Sequence, residues 1–190
     1  MDQEVITIVS GLPRSGTSMM MKMLEAGGML ALTDDIRTAD EDNPKGYYEF
    51  ERVKQIESDQ AWLDDAKGKA VKMVSALLKH LPPSYSYNVI FMRRQIEEVL
   101  ASQQKMLARR GEATDAVSDE RLAGLFAKHV EMIEAWLDNQ PNIDVLYVDY
   151  GQVLEKPLVQ AQRVNLFLGS TLTAENMVCI VDPDLYRQRR

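Results

Sequence analysis

Val5-Ile6-Thr7-Ile8-Val9-Ser10-Gly11-Leu12-Pro13-Arg14-Ser15-Gly16-Thr17-Ser18 is the stretch that decides the fold. A β-branched run gives way to a turn bracketed by Gly11 and Gly16, and the turn opens a helix at about Gly16. A strand that turns through glycines into a helix N-terminus aims backbone N–H groups and the positive end of the helix dipole at one point, which suits a phosphate. Gly11 and Gly16 have the spacing of a nucleotide phosphate loop, and Ser18 takes its Ser/Thr place. Thr17, however, stands where an ATP- or GTP-using loop carries its lysine. The loop is therefore expected to hold a phosphate other than the γ-phosphate of a triphosphate. Arg14 adds a forked donor, and the hydroxyls of Ser15, Thr17 and Ser18 can cap phosphate oxygens.

Outward from this loop, strands and helices alternate. Val5–Ser10, Lys69–Ser75, Tyr87–Met92 and Ile143–Val148 read as strands. Helices are expected over Gly16–Ala26, Glu51–Asp65 and Gln95–Arg110, then from an N-cap at Ser118 to about Asn139. A further helix runs between Pro157 and Gly169, and a short one follows Thr173. Asn43-Pro44-Lys45-Gly46 marks a turn within a polar segment that begins near Thr33. This alternation predicts one α/β domain over residues 1–190: three layers, a mainly parallel central sheet with helices on both faces, and a ligand at the C-terminal edge of the strands.

Composition narrows the chemistry. The net charge is −7 at 45% hydrophobic content, which suits a packed core and argues against sequence-independent nucleic-acid binding. Cys179 is the lone cysteine, which points to a reducing, cytoplasmic setting, and two histidines with one cysteine cannot close a Cys/His zinc site. No apolar run reaches the length of a membrane span, and no signal-peptide pattern is present. His129 falls on an apolar helix face with Leu122, Leu125, Phe126, Ile133 and Trp136, and reads as a packed core histidine. The Met19-Met20-Met21-x-Met23 cluster reads as core filling.

Pro13-Arg14-Ser15-Gly16-Thr17-Ser18 resembles the 5′-phosphosulfate loop of sulfotransferases that use 3′-phosphoadenosine 5′-phosphosulfate (PAPS), enzymes with a nucleoside-kinase-like, P-loop-like α/β fold. A second likeness lies in Val89-Ile90-Phe91-Met92-Arg93-Arg94 followed by Ser102: the family clamps the 3′-phosphate with an arginine at a strand end and a serine eight residues later, and that spacing selects Arg94 over Arg93. Gln95-Ile96 departs from the acidic or Asn residue and proline usual after that arginine. Val145–Tyr150, Pro157 and Phe167-Leu168-Gly169 resemble the family's late strand, acidic turn and helix end. The resemblance implies transfer of a sulfuryl group from PAPS to a hydroxyl or amine of a small-molecule or glycan acceptor. The product would be adenosine 3′,5′-bisphosphate, with no metal required.

It also implies a general base, His or Glu, to take the acceptor's proton. Glu49, between Tyr48 and Phe50, follows the loop where bacterial-type members often place a catalytic glutamate. His80-Leu81-Pro82 superficially resembles a family histidine motif but lies only 14 residues before Arg94, and by the family count Lys72 takes that histidine's place. Arg14 takes the role of the loop lysine, neutralising the leaving phosphate, although it cannot give up a proton. Lys72 is either the missing cation at the bridging oxygen or a plain strand-end residue. Arg187, Arg189 and Arg190 are either a tail or a cover for the 3′-phosphate, and the Thr33–Tyr48 and Arg110–Ser118 loops are expected to line the acceptor side.

Two other readings stand beside this one. An apolar strand ending in Asp149 looks like a magnesium-holding strand of a kinase with a degenerate loop. A nucleotide-binding module without catalysis is the other. Neither the acceptor nor the oligomeric state is fixed by these residues.

Overall fold

A computed structural model describes residues 4–34, 48–111 and 118–182. The Asn43–Gly46 turn, most of the two loops assigned to the acceptor side, and Arg187, Arg189 and Arg190 lie outside these residues. Four strands form one parallel sheet: β1 (Ile6–Gly11), β2 (Ala70–Lys72), β3 (Tyr87–Arg93) and β4 (Ile143–Asp149). Their order is β2-β1-β3-β4. The chain leaves β1 for β2 on one side and then crosses to β3 on the other. The crevice beyond the C-terminal ends of β1 and β3 is therefore the switch point of the sheet, where α/β folds bind ligands.

Alternation along each strand explains the three layers. On one face Val9, Ile90, Met92 and Val148 pack with Met20, Met21, Met23 and Leu24 of α1 (Thr17–Ala26). Val153 of α5 (Tyr150–Glu155), Val164 of α6 (Pro157–Phe167) and Met177 of α7 (Ala174–Val178) close the same core. On the other face Ile6, Ile8, Val89, Phe91 and Ile143 meet Leu63 of α2 (Leu63–Ala66), Leu78, and Ile133 and Leu137 of α4 (Asp119–Leu137). Between β3 and α4 runs α3 (Ile96–Arg110), which ends at Gly111 with φ 66°. The methionine cluster is core, as its spacing suggested, with Met20, Met21 and Met23 fully buried.

Three expectations need correction. The helix predicted over Glu51–Asp65 is a 3₁₀ turn at Glu51–Gln55 followed by the four-residue α2. Asp59 breaks it: its carboxylate accepts from Arg52 and from the backbone N–H of Ala61, while its carbonyl accepts from the Trp62 indole. Such local bonds compete with helix propagation. The strand predicted over Lys69–Ser75 stops at Lys72, and Ser75–His80 forms a 3₁₀ turn. His129 is half-buried rather than core, its Nε2 lying 2.9 Å from the buried Ser75 Oγ, and Leu125 on the same helix is exposed. Among the described residues, no helix is long and apolar enough to cross a membrane.

Candidate functional site

The loop between β1 and α1 is shaped by backbone that side chains resist. Gly11 (φ 146°) sits where a Cβ would stand 2.5 Å from the Met92 carbonyl oxygen and 2.6 Å from Ser15 Oγ. At Gly16 (φ 97°) a Cβ would clash with one edge of the Tyr150 ring, 2.9 Å from Cε2. Arg14 itself adopts a left-handed φ of 70°, so two left-handed residues flank Ser15. Backbone that alternates in this way turns successive N–H groups into an anion-binding concavity. Ser15 Oγ is fully buried without a hydrogen-bond partner, as is Ser10 Oγ. An unpaired hydroxyl at that depth costs about 1–3 kcal/mol. The loop thus offers a donor that a phosphate-type anion would satisfy, and the fit to a phosphosulfate group is good on that ground.

Lysine is missing from the loop, but a neighbouring strand brings one to it. Lys72 ends β2 in register with Val9, and its ammonium lies 3.1 Å from Ser18 Oγ in the first turn of α1. Glu49 Oε1 lies 3.9 Å from the same Nζ. Glu49 is held through its main chain: its carbonyl accepts from Thr33 Oγ1 at 3.1 Å and from the Asp34 N–H at 3.3 Å. Asp34 in turn accepts from the Glu51 N–H at 2.6 Å. These bonds clasp residues 33–34 to 49–51 through main chain at Glu49, whose carboxylate lies beside Lys72. Tyr48, at φ 51°, donates its hydroxyl to Glu25, and burial with that carboxylate pushes the phenol pKa up. A cation, a hydroxyl and a carboxylate thus meet at the mouth of the loop.

A second cluster lies at the end of β3. Arg93 and Arg94 part to opposite sides. Arg93 grips Glu134 of α4 with two bonds of 2.7 and 2.6 Å and lies 3.9 Å from the centre of the Tyr147 ring, and the bond to Glu134 raises its pKa. Arg94 turns to the loop. Its Nε donates to Glu98 at 2.9 Å, its Nη1 donates to the Arg14 carbonyl at 3.0 Å, and its guanidinium lies 4.5 Å from the Tyr150 ring centre. Arg94 and Glu98 are 8% and 5% exposed, so this is a buried ion pair. Ser102, one turn further along α3, accepts from Arg14 Nε at 2.9 Å. Arg14, Arg94 and Ser102 therefore form one connected group.

Sequence reasoning missed Glu98 and Tyr150. Glu98 was legible as the i,i+4 partner of Arg94. Tyr150 was hidden in a strand end that reads as magnesium-binding. Asp149 instead caps α5, its Oδ1 accepting from the Gln152 N–H at 3.0 Å. It also ends β4, a strand separated from β1 by β3. Burial pushes the Tyr150 phenol pKa up, with Arg94 drawing it back and Glu98 adding to the rise. His80 ends its 3₁₀ turn and pairs with Glu57 at 2.9 Å. Pro13 is exposed at the loop apex, and Thr17 is half-buried at the start of α1.

Residues 6–183 match the family model described as a sulfotransferase domain. Among solved structures the chain is similar to the sulfotransferase from Alicyclobacillus acidocaldarius, at 13% identity over 87% of this chain and 81% of that one, with a TM-score of 0.44. No curated protein matches it.

Proposed function

The chain belongs to the sulfotransferase family, and we propose that it moves a sulfuryl group from PAPS to a hydroxyl or amine of a small-molecule or glycan acceptor. The observation that carries the donor assignment is the convergence of Arg14, Arg94 and Ser102 beside a phosphate loop with no lysine. A nucleotide with a second phosphate near its ribose would use both features; ATP would use only one. Bound PAPS would supply the activated sulfuryl group, and such transfers have loose, in-line transition states governed by positioning and charge.

The residues then divide the work. Pro13 shapes the loop. The N–H groups of Gly16 and the first turn of α1, with the hydroxyls of Ser15, Thr17 and Ser18, would hold the 5′-phosphosulfate, while the Ser15 N–H closes the loop on the Leu12 carbonyl. Lys72, fixed by Ser18, would stabilise charge at the leaving oxygen. The resemblance gives Arg14 a role at that oxygen, while its bond to Ser102 supports a role beside Arg94 at the 3′-phosphate. Glu49 would take the proton from the acceptor, since its carboxylate opens on Lys72 while its main chain is clasped. Side-chain cations would do the neutralising that kinases assign to magnesium.

Calorimetric titration with adenosine 3′,5′-bisphosphate, against ATP with and without magnesium, tests this reading. Micromolar, metal-independent binding of the bisphosphate with much weaker ATP binding is expected. Preference for Mg·ATP would overturn it in favour of a kinase. Tight bisphosphate binding with no transfer to any acceptor in a broad screen would leave a binding module.

A further inference from the structure

We propose that Tyr150 is a positioning residue that couples the phosphate loop to Arg94, setting the distance between the two anion-binding centres; the inference rests on the donor assignment above. Tyr150 is 7% exposed and opens α5 directly after the Asp149 cap. One part of its ring stands so close to Gly16 that a Cβ there would overlap it. The Arg94 guanidinium lies 4.5 Å from the same ring's centre. The ring is thus a spacer between the residue that starts α1 and the arginine that leaves β3. A phenyl face attracts a guanidinium within about 6 Å of its centroid.

Two further contacts of Arg94 lie beside the ring. Glu98 on α3 accepts from Nε, and the Arg14 carbonyl accepts from Nη1. Both are edge contacts in the plane of the guanidinium. The Tyr150 ring bears on the same guanidinium, its centre 4.5 Å from it, and adds a third contact to these two. The same ring bears on Gly16, so a shift of the loop and a shift of the arginine are opposed by one rigid group. A ligand carrying phosphates at both ends of its sugar would feel a change here at its second phosphate. A ligand with only a 5′-phosphate would feel it far less.

The experiment compares binding of adenosine 3′,5′-bisphosphate and adenosine 5′-monophosphate by calorimetry in the parent protein, Tyr150→Phe, Tyr150→Leu, and a variant with pentafluorophenylalanine at position 150. The fluorinated ring keeps the spacer's shape but reverses the charge of its face. Relative to Tyr150→Phe, it is expected to weaken the bisphosphate about fivefold or more, a span set by cation–π strength, with the monophosphate changed less than about twofold. Tyr150→Leu is expected to weaken the bisphosphate about tenfold or more, because spacer and face are both lost. Equal losses for both ligands, or no loss in the fluorinated variant, would overturn the proposal. If Tyr150→Leu does not fold, the fluorinated and Phe proteins decide alone. A parent that binds neither ligand would overturn the donor assignment and this inference together, whereas a parent that prefers the bisphosphate with indifferent variants would overturn this inference only.

Discussion

Lys72 Nζ lies 3.1 Å from Ser18 Oγ, so β2 delivers to the helix N-terminus the cation that the loop between β1 and α1 lacks. The strand register makes this possible, because Val9 and Lys72 are paired and both strands end at the loop. A point charge on a flexible stem can follow charge as it develops, which a rigid fork cannot. Lys72→Met keeps the stem and removes the charge. It is expected to lower kcat by about 10²-fold or more, with bisphosphate affinity changed only a few fold, as for loss of one preorganised stabilising group. Equal falls in kcat and donor affinity would make Lys72 a binding residue instead.

Glu49 predicts a cleaner split. Its backbone carries the clasp to Thr33 and Asp34, so changing the carboxylate leaves those bonds in place. Glu49→Gln is expected to cut turnover by about 10²-fold or more while the bisphosphate binds nearly as before, as for removal of a general base. Steady-state rates alongside calorimetry check this. Retained turnover would move the search to other groups near Lys72.

Arg94 and Glu98 form a buried pair, so binding and stability must be read separately. Arg94→Ala is expected to weaken the bisphosphate by about 2 kcal/mol or more, as for loss of a charge-assisted clamp. It should also destabilise the fold by about 3 kcal/mol, because the Glu98 carboxylate is left without its partner. In the double variant Arg94→Ala/Glu98→Gln the stability should largely return while binding does not. Denaturant melts and titrations on the same samples separate the two effects. Binding that recovers with stability would remove Arg94 from the donor site.

The fold was legible because its signals are local. The β-branched run of β1, the apolar alternation of β3 and the Gly11/Gly16 bracket each fix their element without help from distant contacts. Arg94 and Ser102 were singled out by the family resemblance, which pairs an arginine at a strand end with a serine eight residues later. Spacing could not show that Ser102 would bond Arg14, because that bond depends on the left-handed turn at Arg14. The long helix expected after Phe50 failed for the opposite reason. Its apolar pattern was helical, but Asp59 offered the backbone and Arg52 better local partners. His129 was misread because α4 buries only Ile133 and Leu137 fully, with Val130 and Trp136 partly buried against the same core, while Leu125 and Met132 are exposed. Tyr150 stood in a stretch that resembles the family's late strand and turn, but its contacts with Gly16 and Arg94, residues far from it in sequence, were not legible there.

Asp149 separates the sulfotransferase from the kinase reading by stability rather than by rate. As the N-cap of α5 it accepts the Gln152 N–H, and that helix begins with Tyr150. A capping aspartate replaced by alanine costs about 1 kcal/mol, through one lost bond and one orphaned donor. Asp149→Ala is therefore expected to lower stability by about that amount. Asp149→Ser keeps a side-chain oxygen at the cap and should recover most of the loss. Bisphosphate affinity should be the same with and without magnesium in all three proteins, because no step assigned here uses the carboxylate as a metal ligand. If Asp149 held magnesium, Asp149→Ser would cap the helix yet lose nucleotide binding, and magnesium would shift the parent's titration but not the variant's. Thermal melts and paired titrations in magnesium and in a chelator distinguish these outcomes on one set of samples.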